Sequence, residues 1–198
     1  MNKYIKMYEN NYKNPPLTGL KDLENFLQLL ADLNEELELF AMGGTAMVLR
    51  GIKESTRDID FLTTANYKKI NELFRLAGLR EENTSQLCNT WYLQKIRIDI
   101  FFNEFILGFS LPDDWKIKSE FLRTIGKVKL LILNWQDIII TKIARSESRD
   151  IEDCIAIIKH ENINFPKLKE RYYSSAETAL IAEYDYKFKH LEYKLHQK

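Results

Sequence analysis

The chain has 198 residues, 45% of them apolar and 29% charged, and its 29 Lys and Arg equal its 29 Asp and Glu. Such a composition belongs to a globular chain long enough for one domain with a helical extension or for two small lobes, and the zero net charge excludes a whole-surface basic field of the kind that binds nucleic acid nonspecifically. No apolar run reaches the roughly 18–20 residues of a membrane span, the opening stretch MNKYIKMYENNYKN has no apolar signal core, and Cys88 and Cys154 lie too far apart to read as a zinc motif or a disulfide frame. A cytoplasmic protein with no membrane association is expected.

Residues 1–16 are polar and aromatic and end in Asn14-Pro15-Pro16, which reads as an arm stopped by prolines. From Thr18 to Glu36 the leucines and Phe26 fall on one helical stripe, beginning near Thr18 or Gly19. Leu37 to Met42 reads as a strand and Gly44 or Thr45 to Arg50 as a short helix closed by Gly51. Ile52 to Arg57 crosses back into a strand over Arg57 to Thr63, and a helix follows over Asn66 to Ala77, ended by Gly78. Leu87 to Leu93 and Lys95 to Phe102 read as strands. The stretch 103–126 is apolar at Phe105 to Phe109 and turns at Leu111-Pro112-Asp113-Asp114; Phe121 to Leu133 has strand content around a Gly126-Lys127 hairpin turn. Asn134 caps a helix over Trp135 to Ala144. Further helices are expected over Ser148 to Ile158, about Pro166 to Ala176, and Glu177 to Leu195.

Two features carry chemistry. Glycine tolerates positive φ and lets backbone amides approach a ligand, so Gly43-Gly44 before a helix can hold an anion, with Thr45 as helix cap or phosphate hydrogen-bonder. A tight turn is the plainer alternative. Asp58 and Asp60, at i and i+2 of a strand, project to one face while Ile59 and Phe61 project to the other. Two carboxylates so placed repel, and a hard divalent cation such as Mg²⁺ or Mn²⁺ relieves the repulsion. Pairing with Arg57 or Arg50 is the alternative. In the strand Lys95 to Phe102, Arg97, Asp99 and Phe101 share one face. If this strand lies beside the first, Asp99 completes a three-carboxylate cluster able to hold two metals for in-line phosphoryl transfer.

The stretch GGTAMVLRGIKESTRDIDF resembles the opening signature of the nucleotidyltransferase superfamily, and within it the minimal AbiEii-type branch of toxin–antitoxin systems. The resemblance spans about residues 37–160 and is looser at Asp99. It implies an α/β (α+β) fold with a mixed sheet flanked by helices. It also implies a nucleoside triphosphate donor and Mg²⁺ or Mn²⁺. By position, Gly43, Gly44 and Thr45 would bind triphosphate, and Asp58, Asp60 and Asp99 would be the metal-binding and catalytic residues. Lys142, Arg145, Asp150 and Asp153 resemble a further block of that branch near the active site. Lys142 would reach the triphosphate; Asp150 and Asp153, sharing a helix face, either serve the site or pair with Lys142, Arg145 or Arg149 to lock two helices. Residues 1–133 are expected to form the catalytic α/β domain and 134–198 a helical region packed on it. The expected activity is transfer of an NMP from an NTP to an acceptor hydroxyl on an RNA or tRNA end, a protein or a small molecule such as an aminoglycoside, with a cognate antitoxin as partner if the chain is a toxin. The alternative is a noncatalytic nucleotide- or partner-binding module. The Tyr- and Lys-rich tail (Tyr184, Tyr186, Lys187, Lys189, Tyr193, Lys194) reads either as an RNA-binding face or as a solvated helix anchored by its aromatics.

Overall fold

The computed structural model describes residues 17–83, 88–176, 179 and 181–197. The N-terminal arm over residues 1–16, and the positions Leu87 and Glu177 at which two elements were expected to start, lie outside these.

A seven-stranded mixed sheet forms the centre. Its strands are β2 (Leu37–Ala41), β4 (Ile59–Leu62), β5 (Arg80–Asn83), β6 (Cys88–Leu93), β7 (Ile96–Phe101), β10 (Glu120–Ile125) and β11 (Val128–Ile132), in the order β10-β11-β2-β4-β7-β6-β5. The β11–β2 and β4–β7 pairs are parallel and the other pairs antiparallel. Two small ribbons lie outside it: β1 (Thr18–Gly19) on β3 (Ser55–Thr56), and β8 (Phe105–Ile106) on β9 (Phe109–Ser110). Helices α1 (Leu20–Ala31), α2 (Gly43–Leu49), α3 (Tyr67–Leu76) and α4 (Trp115–Lys118) connect the strands, and α5 (Trp135–Arg145), α6 (Ser148–His160), α7 (Phe165–Ala176) and α8 (Tyr184–His196) follow the last strand.

The mixed α/β architecture matches the expectation, with local corrections. The first helix stops at Ala31, and residues 32–36 turn into β2. The second begins at Gly43 with Met42 as its cap residue, so Thr45 sits inside the first turn and does not cap it. The charged segment Arg80–Asn83, not foreseen as a strand, pairs with β6 at the sheet edge, where one row of backbone groups can face solvent. Phe105 to Phe109 folds as a hairpin around Leu107 and Gly108, both at positive φ, +51° and +88°, the backbone that a two-residue hairpin turn demands. The last helix starts at Tyr184, because Glu183 in the left-handed region interrupts the chain there.

One buried core runs from the sheet into the C-terminal helices. On the α1 and α3 side the rings of Phe26, Phe61, Phe74 and Trp91 form a continuous chain with centroid separations of 5.0–6.3 Å. It joins α1, β4, α3 and β6. Each such side chain contributes roughly 1.5–3 kcal/mol by burial. Across the C-terminal helices a buried fork joins Arg171 to Asp137 (2.7 and 2.8 Å), and Arg171 also reaches Asp114 at 2.8 Å, tying α7 to α5 and to the start of α4. Parts of the tail serve structure: Lys187 donates to the Ala144 carbonyl at the end of α5, Lys189 pairs with Asp185, and Tyr184 packs beside Tyr173. Tyr186 and Tyr193 are exposed.

The β1–β3 ribbon matters to the site because Thr56 of β3 packs against α2. A Cβ at Gly44 would collide with Thr56 Oγ1 and come within 2.9 Å of its Cβ, whereas a Cβ at Gly51 meets nothing within 4 Å. Gly44→Ala should therefore cost about 1–3 kcal/mol in urea unfolding, the scale of overpacking a filled site. Gly51→Asn, which the left-handed backbone tolerates at φ +71°, should cost much less.

Candidate active site

The two central parallel strands set the site. In the β4–β7 register Ile59 lies opposite Ile98, Asp60 opposite Asp99 and Phe61 opposite Ile100. Side chains alternate along each strand, so the apolar residues share the core face and the two aspartates share the other. Asp58, two residues before Asp60, joins them: oxygen atoms of Asp58, Asp60 and Asp99 all lie within 4.8 Å of one another.

Helix α2 holds this strand end in place. The Asp60 N–H donates to Thr45 Oγ1 (2.8 Å), and the same hydroxyl donates to the Asp58 carbonyl (3.4 Å). The Met42 N–H donates to the Asp60 carbonyl at 3.2 Å. Thr45 is thereby fully buried behind the carboxylates, and its hydroxyl is committed to the backbone on both sides of Ile59. Gly43, at φ +55°, passes so close to Asp60 that a Cβ would sit 3.1 Å from its Oδ2; positive φ and close approach both call for glycine.

The carboxylates face a cleft of about 530 Å³, lined also by Met42, Gly43, Gly44, Phe101 and Leu107. Its opposite wall comes from α5 and α6, which contribute Lys142, Arg145, Asp150 and Asp153. These four form a closed ionic array. Lys142 Nζ lies 2.7 Å from Asp153 Oδ2 and 3.5 Å from Asp150 Oδ1. Arg145 grips Asp150 through Nε (2.9 Å) and Nη2 (2.6 Å). Lys53, from the segment after α2, pairs with the other oxygen of Asp153. Asp150 and Asp153 thus pair with Lys142 and Arg145, and these pairs join α5 to α6 along the cleft.

Four lining cations were not among the expected site residues: Lys53, Arg57, Arg97 and Arg149. Arg97 forks onto Asp99, with Nε 3.1 Å from Oδ1 and Nη2 2.9 Å from Oδ2, and Thr90 of β6 donates to the same Oδ1 at 2.6 Å. Strand alternation already placed Arg97 on the Asp99 face, and that signal sufficed to find it. Arg149 stood beside Asp150 in the block that resembles the toxin-like branch, whereas Lys53 carried no comparable signal, because a lone charge in a turn resembles any solvated residue.

Electrostatics sharpen the picture. Burial, then the negative charges of Asp58 and Asp99, push the Asp60 carboxyl well above the usual range, against the pull of Lys142 and Arg145. Burial and Asp99 raise Asp58, against Arg97 and Arg145. A carboxyl that binds its proton more tightly folded than unfolded opposes folding once the pH passes the unfolded value near 4. The charge of Asp60 therefore destabilises the fold at neutral pH and not in acid. Asp60→Asn should melt above the wild-type chain at pH 7, and the gap should shrink as pH falls to about 4. Thermal scans of both proteins without divalent metal check this.

A profile for nucleotidyltransferases of unknown function (DUF6036) matches residues 18–198. No curated protein matches. Among solved structures, the crystal structure of ANT(2")-Ia with adenylyl-2"-tobramycin superposes with a TM-score of 0.58 at 15% identity, covering 79% of this chain and 97% of that one. The solution structure of the antibiotic-resistance factor ANT(2'')-Ia gives 0.60 at 13% identity, covering 91% and 100%. JHP933 from Helicobacter pylori gives 0.50 at 15%, covering 90% and 93%. At such identities these likenesses show a shared fold, while the profile covers nearly the whole chain; the protein belongs to this family of nucleotidyltransferases.

Proposed function

We propose that the chain moves an NMP from a nucleoside triphosphate to an acceptor hydroxyl, and that Asp58, Asp60 and Asp99 hold the divalent metal that assists. The observation that carries this reading is the convergence of three carboxylates from β4 and β7 beside the Gly43–Gly44 bend. The donor set fits the ion: all ligands are hard carboxylate oxygens, and among the described residues no ion pair reaches Asp58 or Asp60, whose mutual repulsion the more distant Arg97, Lys142 and Arg145 offset only in part. Mg²⁺ or Mn²⁺, when bound there, supplies charge neutralisation at the α-phosphate.

The chain's own residues do the rest by position and charge. Gly43 and Gly44 give the triphosphate a close backbone surface, and Thr45 acts behind it by fixing the spacing of Asp58 and Asp60. Lys142 and Arg145, with Lys53, face the leaving pyrophosphate; Asp150 and Asp153 hold those cations in place. Asp99 accepts the proton of the attacking hydroxyl. In this reading residues 1–133 carry the carboxylates and 134–198 supply the opposing cations. Asp58→Ala or Asp60→Ala should lower transfer by roughly 10³-fold or more, the scale of losing about 4 kcal/mol of transition-state stabilisation, while the circular dichroism spectrum stays native. An Asp60→Ala protein of undiminished turnover would refute the assignment, and metal-dependent NTP binding with no transfer to any acceptor would favour the noncatalytic module.

Charge favours an RNA end as the acceptor. Six cationic side chains line the cleft (Lys53, Arg57, Arg97, Lys142, Arg145, Arg149) against six carboxylates (Asp58, Asp60, Asp99, Glu147, Asp150, Asp153). With metal on the first three carboxylates and Lys53, Lys142 and Arg145 facing the donor's phosphates, Arg57 and Arg149 remain for the acceptor. Arg57 and Arg149, exposed and without an ion pair among the described residues, then suit phosphates better than the amino groups of a tobramycin-like aminoglycoside. A chain that modifies RNA would also suit the toxin half of a toxin–antitoxin pair, with an antitoxin as partner. With labelled NTPs, total RNA should take up label in preference to tobramycin. Arg57→Glu/Arg149→Glu should cut RNA labelling by about tenfold and flatten its salt dependence, each lost phosphate contact lowering the salt slope by about one.

A further inference from the structure

The third carboxylate differs from its two companions in one respect: it already has a cation. Arg97 covers both oxygens of Asp99, at 3.1 Å from Oδ1 and 2.9 Å from Oδ2, and the Thr90 hydroxyl takes a further position on Oδ1 at 2.6 Å. The two-pronged guanidinium–carboxylate fork and Thr90 take three of the roughly four lone-pair positions of the carboxylate, which leaves one on Oδ2 for a divalent cation or an incoming proton. Among the described residues Asp58 and Asp60 have no such partner. The two members of the fork also differ in freedom. The side chain of Asp99 is 6% exposed and that of Arg97 47%. Asp99 is held by its strand register opposite Asp60 and by Thr90, so it cannot turn away; Arg97, half in solvent at the cleft wall, can.

We propose that Arg97 is a positioning residue that keeps Asp99 neutralised and aimed in the free protein, and that releases it to a divalent cation by swinging out toward solvent. The inference rests on the metal reading above. A divalent cation that takes either position now held by the fork displaces the guanidinium, and even at the remaining lone pair of Oδ2 its like charge repels the guanidinium across the carboxylate. Uptake at the third carboxylate is then an exchange of one cation for another, and Arg97 sets its cost. It also protects the cluster: three carboxylates with oxygens inside 4.8 Å fold beside one another with one of the charges already balanced.

The test uses the full chain and Mn²⁺ alone, followed by calorimetry, with thermal scans of the metal-free proteins. Arg97→Gln should tighten the apparent Mn²⁺ Kd by about 3- to 10-fold, the scale of removing one partly exposed forked ion pair, while lowering the metal-free Tm. Arg97→Met, which keeps the aliphatic stem, should do the same. Arg97→Lys, which keeps the charge and loses the fork, should fall between Arg97→Gln and wild type. In an Asp99→Asn background the Arg97→Gln change should shift the Mn²⁺ Kd much less, leaving only the through-space effect of Arg97 on Asp58. An arginine with only a structural role would lower Tm and leave Mn²⁺ affinity unchanged or weaker. That result, or an equal gain in the Asp99→Asn background, overturns the proposal. If Asp60→Ala binds Mn²⁺ as wild type does, the metal reading fails and takes this inference with it; if Asp60→Ala loses Mn²⁺ and Arg97→Gln gains nothing, this inference alone fails.

Discussion

The register of β4 against β7 is the constraint from which the site follows. Ile59, Phe61, Ile98 and Ile100 are fully buried on one face, and every one-residue slip would put charge into that core and apolar side chains into the cleft. Each buried side chain contributes roughly 1.5–3 kcal/mol, so four of them outweigh the repulsion between neighbouring carboxylates on the opposite face. The aspartates do not converge because they attract one another. They converge because the apolar residues between them leave no other pairing.

Around that forced cluster the fold arranges cations in two ways. Arg97 touches one of the carboxylates, Asp99, from within the same strand. Lys142 and Arg145 face them from α5 and are themselves held by Asp150 and Asp153 of α6. A buried lysine such as Lys142 would be costly alone; with a carboxylate on either side it becomes a fixed positive charge facing Asp60. Of the helices after β11, α5 and α6 are therefore part of the cleft.

Glycine and threonine in α2 complete the geometry around the carboxylates. Gly43 and Gly44 are small because Asp60 and Thr56 press against them, and Thr45 is a hydroxyl because two backbone groups flanking Ile59 need a bridge. Two of the residues that read as a phosphate loop, Gly43 and Thr45, also pack on or hydrogen-bond to the segment that bears Asp58 and Asp60. In the structure Thr45 serves that segment.

The sequence alone decided what local periodicity and spacing can decide. Alternation in Ile96–Phe101 put Asp99 and Arg97 on one face, the i, i+2 spacing paired Asp58 with Asp60, and Asn134 marked the start of α5, where its side chain accepts from the Gln136 N–H. Long-range pairing was beyond it. Nothing in Arg80–Asn83 marks a strand apart from its neighbour β6, nothing in Lys53 foretells Asp153 one hundred residues on, and nothing in residues 142–153 chooses between metal, triphosphate and one another as partners for their charges. Those choices depend on which surfaces meet when the core closes. A charge's partner is set by distance through space, and only the assembled sheet and helices fix that distance.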